Sequence, residues 1–409
     1  MINGAESDSG GSLERLREAN RLRVVEALRL RGSASRSELV ELTGLSRTTI
    51  TSLLGELQVR GLITADRVES DGGLRPRGRP PVLLRLAPSA GAALGVAFGH
   101  SHVHVAVADL SSTVLAERRR EINVDASAAA ALDVAAELIE AVLAEAGMGR
   151  EQVVAAGMGI PGPVAVPTGR VGSSSILPGW EGLHPADALA ERLGDVHVEA
   201  LNDANLGALA ESSLGAAKDV SDVVYVKISS GIGAGLVLGG RLHYGISGNA
   251  GEIGHVQIRD DGVACRCGNR GCLETVAAVP AVVAALRPAH GDRLDLNGVL
   301  ELAARGDIAT TRVIKDAGRA VGRALGDLCN VVNPGAIIIG GDLSAAGTPL
   351  LDGIRDSLDR YAQPEAATAV EVRRSELGAR AEVLGALTLV IGDTRRMTSA
   401  GLAALAPRA

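Results

Sequence analysis

The run Leu94-Gly95-Val96-Ala97-Phe98-Gly99-His100-Ser101-His102-Val103-His104-Val105-Ala106-Val107-Ala108-Asp109 decides the fold class. Two apolar, β-branched stretches, Leu94 to Phe98 and Val103 to Asp109, flank Gly99-His100-Ser101, a pattern that predicts a hairpin. Thr113 to Ile122 continues as a third strand, Ala126 to Ala146 as a long amphipathic helix, and Val153 to Ile160 as a buried strand. Strands first and crossover helices afterwards indicate an α/β lobe. A further strand is expected at Val196 to Leu201, and Val223 to Ile228 and Ala234 to Leu238 begin a second set. There is no repeat of solenoid-like period.

Around this centre, 409 residues suffice for two or three domains, and a composition of 46% hydrophobic and 22% charged residues excludes general disorder. No stretch approaches the roughly 18 consecutive apolar residues of a membrane span. Glu6, Asp8, Glu14 and Glu18 in the first thirty residues do not fit a secretory signal. Four cysteines in this length are not a disulfide framework, so a cytoplasmic protein without a membrane partner is expected. Residues 1–85 hold 14 basic and 11 acidic side chains, and the rest of the chain 27 and 37. A polyanion would therefore bind at the N-terminal end. The five aromatic residues (Phe98, Trp180, Tyr225, Tyr244, Tyr361) all lie outside that head, which excludes base-stacking platforms.

Residues 1–12 read as a disordered polar tail and 13–87 as an all-α winged helix-turn-helix. Leu16, Ala19, Val24, Ala27 and Leu28 recur near helical spacing up to Gly32. Ser35 and Glu38 form an S-x-x-E capping box, Gly44 ends the short helix in a tight turn, and Ser46 caps a third helix. That third helix would offer Ser46, Arg47, Thr48, Thr49 and Ser52 to the major groove of double-stranded operator DNA. Strands at Leu62 to Thr64 and Val82 to Leu86 would make a wing carrying Arg75, Arg77 and Arg79. Arg77-Gly78-Arg79-Pro80 could enter a minor groove or act as a linker, since Pro76, Pro80, Pro81 and Pro88 mark a boundary. The competing reading of the head is a helical oligomerisation module.

Cys265, Cys267 and Cys272 place three thiols within eight residues, separated by glycines, with His255 upstream. Three sulfurs and one nitrogen suit a closed tetrahedral structural zinc, and free thiols are the alternative. Cys329, among Leu325, Leu328 and Val332, reads as core. Paired carboxylates and amides grip polyol hydroxyls through charge-assisted hydrogen bonds. Asn202 and Asp203 form such a pair after a strand, and Glu252 and Glu274 flank the cysteine motif.

Several motifs occur in one order. They are Gly159-Ile160-Pro161-Gly162-Pro163-Val164, Leu177-Pro178-Gly179-Trp180, Asn202-Asp203-Ala204-Asn205 and Gly231-Ile232-Gly233-Ala234-Gly235. Gly251-Glu252-Ile253-Gly254-His255, the cysteine run through Glu274, and Asn333-Pro334-Gly335 follow. In this the chain resembles the ROK family of repressors, open reading frames and sugar kinases. The resemblance implies an actin-like (ribonuclease H-like) two-lobed α/β body with a sugar in its cleft. The first lobe would comprise 88–200 and 384–409, and the second 201–383. It also implies that Asn202, Asp203, Glu252, His255 and Glu274 bind the sugar, with His255 also on zinc. Where family members often carry Asn, this chain has Ile176, and Trp180 is expected beside the proposed pocket.

A kinase of this family needs Asp203 as general base and two phosphate loops. Ser229-Ser230-Gly231-Ile232-Gly233 keeps the second. The first, Asp-x-Gly-Gly-Thr in the kinases, reads Ala97-Phe98-Gly99-His100-Ser101 here. A bulky imidazole thus replaces a glycine at close backbone approach. His100, His102 and His104 alternate on one strand face and could hold a metal, but an ordinary polar strand face is the simpler reading. The expectation is therefore a non-enzymatic, sugar-responsive regulator, most simply a repressor of carbohydrate-metabolism genes, acting as a homodimer or homotetramer. The alternatives are a sugar kinase with a regulatory head, and repression relieved by a protein partner.

Overall fold

The computed structural model describes residues 8–67, 82–165, 167–172, 177–194 and 196–392. Helix α1 (Asp8–Arg31) opens the head, so residues 8–12, expected in the tail, are helical. Helix α2 (Arg36–Thr43) starts as the S-x-x-E spacing requires. Ser35 Oγ accepts from the Glu38 amide at 3.3 Å, and the Ser35 amide donates to Glu38 Oε2 at 2.7 Å. Gly44 closes the helix at φ 68°, a conformation open to a residue without Cβ. Helix α3 (Arg47–Val59) is capped by Ser46 and buries Ile50, Leu53, Leu54 and Leu57 against Val24 and Leu28 of α1. Glu56 of α3 ties the two helices together by pairing with Arg21 at 2.6 Å. Strands β1 (Ile63–Arg67) and β2 (Val82–Leu86) pair antiparallel, Ile63 opposite Leu86. Leu84 exchanges backbone bonds with Ala34 between the first two helices, both at 2.9 Å.

The body follows with β3 (Ala92–Phe98), β4 (His102–Asp109), β5 (Val114–Glu121), α4 (Ala128–Glu145) and β6 (Val153–Ile160). A small hairpin of β7 (Val164–Ala165) and β8 (Arg170–Val171), then α5 (Pro185–Leu193), β9 (Val198–Asn202) and α6 (Asp203–Ser213), complete this half. The second half begins with β10 (Val223–Ile228), β11 (Ile232–Leu238) and β12 (Arg241–His243). It continues with α7 (Glu274–Ala277), α8 (Val279–His290), α9 (Leu296–Ala304), α10 (Ile308–Val332) and β13 (Ala336–Gly340). Helices α11 (Thr348–Tyr361) and α12 (Pro364–Ala369), strand β14 (Glu371–Arg374) and helix α13 (Ala381–Ile391) end the described chain.

Two five-stranded mixed sheets result, ordered β5-β4-β3-β6-β9 and β12-β11-β10-β13-β14. In both, two antiparallel steps lead to the middle strand and two parallel steps leave it. Each parallel step needs a helical crossover, and α4, α5, the α7–α10 group and α11–α12 supply them. Every residue of β3 is buried, as its unbroken apolar run requires of a strand covered on both faces.

Helices α6 and α13 join the halves. Helix α6 packs on β10 and β11 of the second sheet, while α13 lies on β3 and β6 of the first and against α6. The contact is close: a Cβ at Gly385 would collide with the Leu206 carbonyl. The chain returns to the first sheet at Ala381, slightly ahead of the expected 384. One continuous cluster of buried side chains runs from Leu28, Leu39 and Leu54 of the head through Leu86 and Ala90. It continues to Ala93 of β3 and Leu387 and Val390 of α13.

Candidate functional site

A cavity of about 800 Å³ lies between the two sheets. Its floor is the end of β9 and the start of α6, where Asn202 leaves the first sheet and Asp203 begins the helix. One wall is the β3–β4 turn, Gly99 to His102, and the facing wall is the β10–β11 turn, Ser229 to Gly233. The segment between β12 and α7 adds Glu252, His255 and Arg266 to the lining. All five expected sugar contacts, Asn202, Asp203, Glu252, His255 and Glu274, line this one cavity.

Each has local reasons for its position. Asn202 Oδ1 caps α6 by accepting from Ala204 N at 2.9 Å, and its Nδ2 donates to the Gly162 carbonyl at 3.3 Å. Asp203 Oδ2 accepts from Lys227 Nζ at 2.7 Å. Glu252 Oε2 lies 3.7 Å from His255 Nε2. Burial, with the Asp203 and Glu274 carboxylates nearby, pushes its carboxyl up to about 7. Glu274 takes a different neighbour, the Arg266 guanidinium, at 3.2 Å.

His255, Cys265, Cys267 and Cys272 each offer a ligand atom, and the four atoms lie within 4.8 Å of one another. The loop reaches this shape because Gly268 and Gly271 adopt positive φ, 92° and 61°. A Cβ at Gly271 would strike the Arg259 carbonyl, so only glycine lets the strands of this knuckle close. Gln257 pairs with Cys272 and Ala264 with Arg270, fixing the thiols on one side. The donor set and its spacing fit a metal ion.

The first turn is occupied by protein. His100 Nδ1 sits 2.7 Å from Asp125 Oδ1, and the His102 ring lies where a Cβ on Gly99 would be. Burial drives the His102 imidazole down to about 4, with the positive Arg119 and Lys227 adding to the effect. His104 is buried as well. The three histidines are therefore not an ordinary solvated strand face: His100 and His102 line the cavity and His104 is buried. Trp180, expected beside the sugar, is instead in the first sheet's core. It packs edge-on against Phe98 at 5.2 Å and donates to the Val124 carbonyl.

Of the residues expected at DNA, Arg47, Thr48 and Ser52 are exposed, and Thr49 is half-buried. Ser46 Oγ caps α3 and lies 2.8 Å from the hydroxyls of both Thr48 and Thr49. Arg75, Arg77, Arg79 and Ile176 lie outside the described residues. The sequence reading missed Lys227, Glu382 and Arg266. Lys227 left a signal: it is one of three lysines against 38 arginines, and it interrupts the apolar run Val223–Ile228.

Two mixed sheets of equal strand order around a cleft, each sending the turn of its central hairpin to one wall, define a sugar-kinase-like, actin-like body. Residues 93–393 match the model of the ROK family, and the chain belongs to that family. The N-acetylglucosamine repressor of Escherichia coli O157:H7 is 31% identical over 93% of this chain and 94% of its own. The xylose repressor of Caldicellulosiruptor bescii is 26% identical over 92% and 96%. Among solved structures, a ROK family transcriptional regulator, a homologue of the E. coli MLC protein, matches with a TM-score of 0.76. It is 27% identical and covers 95% of this chain and 99% of its own. A ROK glucokinase from Streptomyces griseus, in complex with glucose and AMPPNP, matches 73% of this chain and 99% of its own. Its TM-score is 0.64 and its identity 28%. No helix among the described residues is long and apolar enough to cross a membrane.

Proposed function

We propose that this chain is a sugar-responsive transcriptional repressor whose winged helix-turn-helix head binds operator DNA and whose cleft binds a monosaccharide without phosphorylating it. The carrying observation is the asymmetry of the cleft. Five polyol-binding candidates converge on it, while the His100–Asp125 pair and the His102 ring fill the first turn, where a nucleotide phosphate would need open backbone. Relatives named as repressors match over nearly the whole chain, head included, whereas the glucokinase matches only about three quarters of it.

His255, Cys265, Cys267 and Cys272 would hold a structural zinc. Bound there, the ion would supply rigidity, fixing His255 beside Glu252 and Glu274 at the cleft. Sugar binding closes the cleft and resets the spacing of two heads in a dimer or tetramer. Such coupling requires different sugar affinities in the DNA-competent and incompetent forms, and half-site spacing turns that difference into operator affinity.

The test is the affinity of the purified protein for a DNA site selected from its own genome, with and without D-xylose, N-acetyl-D-glucosamine and D-glucose. One sugar should lower operator affinity at least tenfold, independently of Mg-ATP. Arg47→Ala should relax base preference at one position by about 1–3 kcal/mol. Sugar-dependent release of ADP, abolished in Asp203→Asn, would instead establish the kinase. Operator affinity indifferent to every sugar would favour a protein inducer.

A further inference from the structure

Lys227 belongs to the second sheet, but its ammonium is held by groups from elsewhere. Nζ lies 2.7 Å from Asp203 Oδ2 on α6 and 2.6 Å from Glu382 Oε1 on α13. The side chains are 13%, 11% and 12% exposed, so this is an ion triad largely removed from water at the cleft floor. Burial disfavours the charge on Lys227, but the Asp203 and Glu382 carboxylates outweigh it and hold the group protonated well above its ordinary range. An ammonium has three N–H donors. Two go to the carboxylates. Lys227 lines the cavity, and among the described residues no third protein acceptor meets it. The remaining N–H is available only to what enters the cleft.

We propose that Lys227 is a direct ligand contact of the cleft, donating this N–H to a hydroxyl oxygen of the bound monosaccharide whose own proton is donated to Asp203. The proposal rests on the sugar-binding reading above and assigns it a sixth residue. One hydroxyl is then donor to a carboxylate and acceptor from an ammonium, both charge-assisted. The arrangement also explains retention without transfer. The hydroxyl's lone pair is engaged by a cation, and the carboxylate that would take its proton is already neutralised by the same cation. Lys227 thus keeps the cleft a binding site independently of the blocked first turn.

Calorimetric titration with D-xylose, N-acetyl-D-glucosamine and D-glucose tests this on the full chain. It compares wild type, Asp203→Asn and the double variant Lys227→Met/Glu382→Gln, in which the buried site loses one charge of each sign and keeps its net charge. The double variant should remain folded at the titration temperature, as its circular dichroism checks, and bind the effector sugar about tenfold to a hundredfold more weakly. Among singly deoxygenated analogues of that sugar, one should bind wild type and double variant equally, since it lacks the hydroxyl both groups hold. Unchanged affinity in the double variant, with Asp203→Asn impaired, overturns the assignment and leaves the sugar site standing. An equal loss for every analogue means Lys227 only shapes the cleft, and also overturns it. No binding of any sugar by the wild type brings down both readings.

Discussion

The two sheets repeat one topology, yet their equivalent turns have opposite characters. Between β10 and β11, Ser229-Ser230-Gly231 carries no ring of its own, and the Arg266 guanidinium lies 2.8 Å from where a Cβ on Gly231 would be. Ser229 Oγ accepts from the Asp342 amide at 3.0 Å, and the Ser229 amide donates to the Gly231 carbonyl at 2.9 Å. Between β3 and β4, the same place holds Gly99-His100-Ser101, closed by an imidazole–carboxylate pair and a second buried ring. Strand order is set by which faces must be apolar and by crossover geometry, so it survives in both halves. A turn is restrained only by its few backbone angles, and its side chains can be exchanged for new chemistry without disturbing the sheet beneath.

The harshest way to probe this comparison is to damage one half alone. Cys272 is fully buried in the candidate metal loop, and Cys272→Ser or chelation should weaken sugar binding at least a hundredfold by releasing His255 and Glu274. The emission of Trp180, packed on Phe98 in the other half, should hardly change. A variant that keeps its sugar affinity would show that the loop needs no metal, and a large change in emission would show that the halves are not separable.

A second experiment tries to make the turns alike. Ala97→Asp with His100→Gly restores a carboxylate and an open backbone to the first turn, and should raise Mg-ATP affinity about tenfold by calorimetry. Failure would mean that the turns differ in backbone path as well as in side chains. Phosphorylated sugar should still not form, because Lys227 remains on Asp203.

The smallest effect is on pH. His102 takes up a proton near 4 when folded and near the ordinary 6.5 when unfolded. The unfolded chain thus binds more protons in between, and stability falls as pH drops through that window. His102→Leu should flatten this part of the urea-denaturation profile. An unchanged profile would place the ring in water, and the first turn would then be open like the second.

Much of this was readable in the residues. The apolar runs located β6 and β10 to the residue, the capping box of α2 formed as its spacing demanded, and Gly44 and Ser46 mark the boundaries they encode. The cysteine loop was legible because its thiols and glycines are neighbours in sequence. Lys227 and Glu382 were not, being 155 positions apart and joined only when α13 returns to the first sheet. The start of α1 was missed because Gly10, Gly11 and Ser12 are poor helix formers. Trp180 was misplaced because a motif fixes its order in the chain and not the direction of its ring.

The buried cluster that passes from α1 and α3 through Leu86 and Ala90 to α13 makes the head's apolar interior continuous with that of the body. Such a head is less a tethered reader than a knob on the same shaft. Helix α13 presents Glu382 to the triad at one end and Leu387 and Val390 to that cluster at the other. A single helix thus touches both the cleft floor and the core that the head shares.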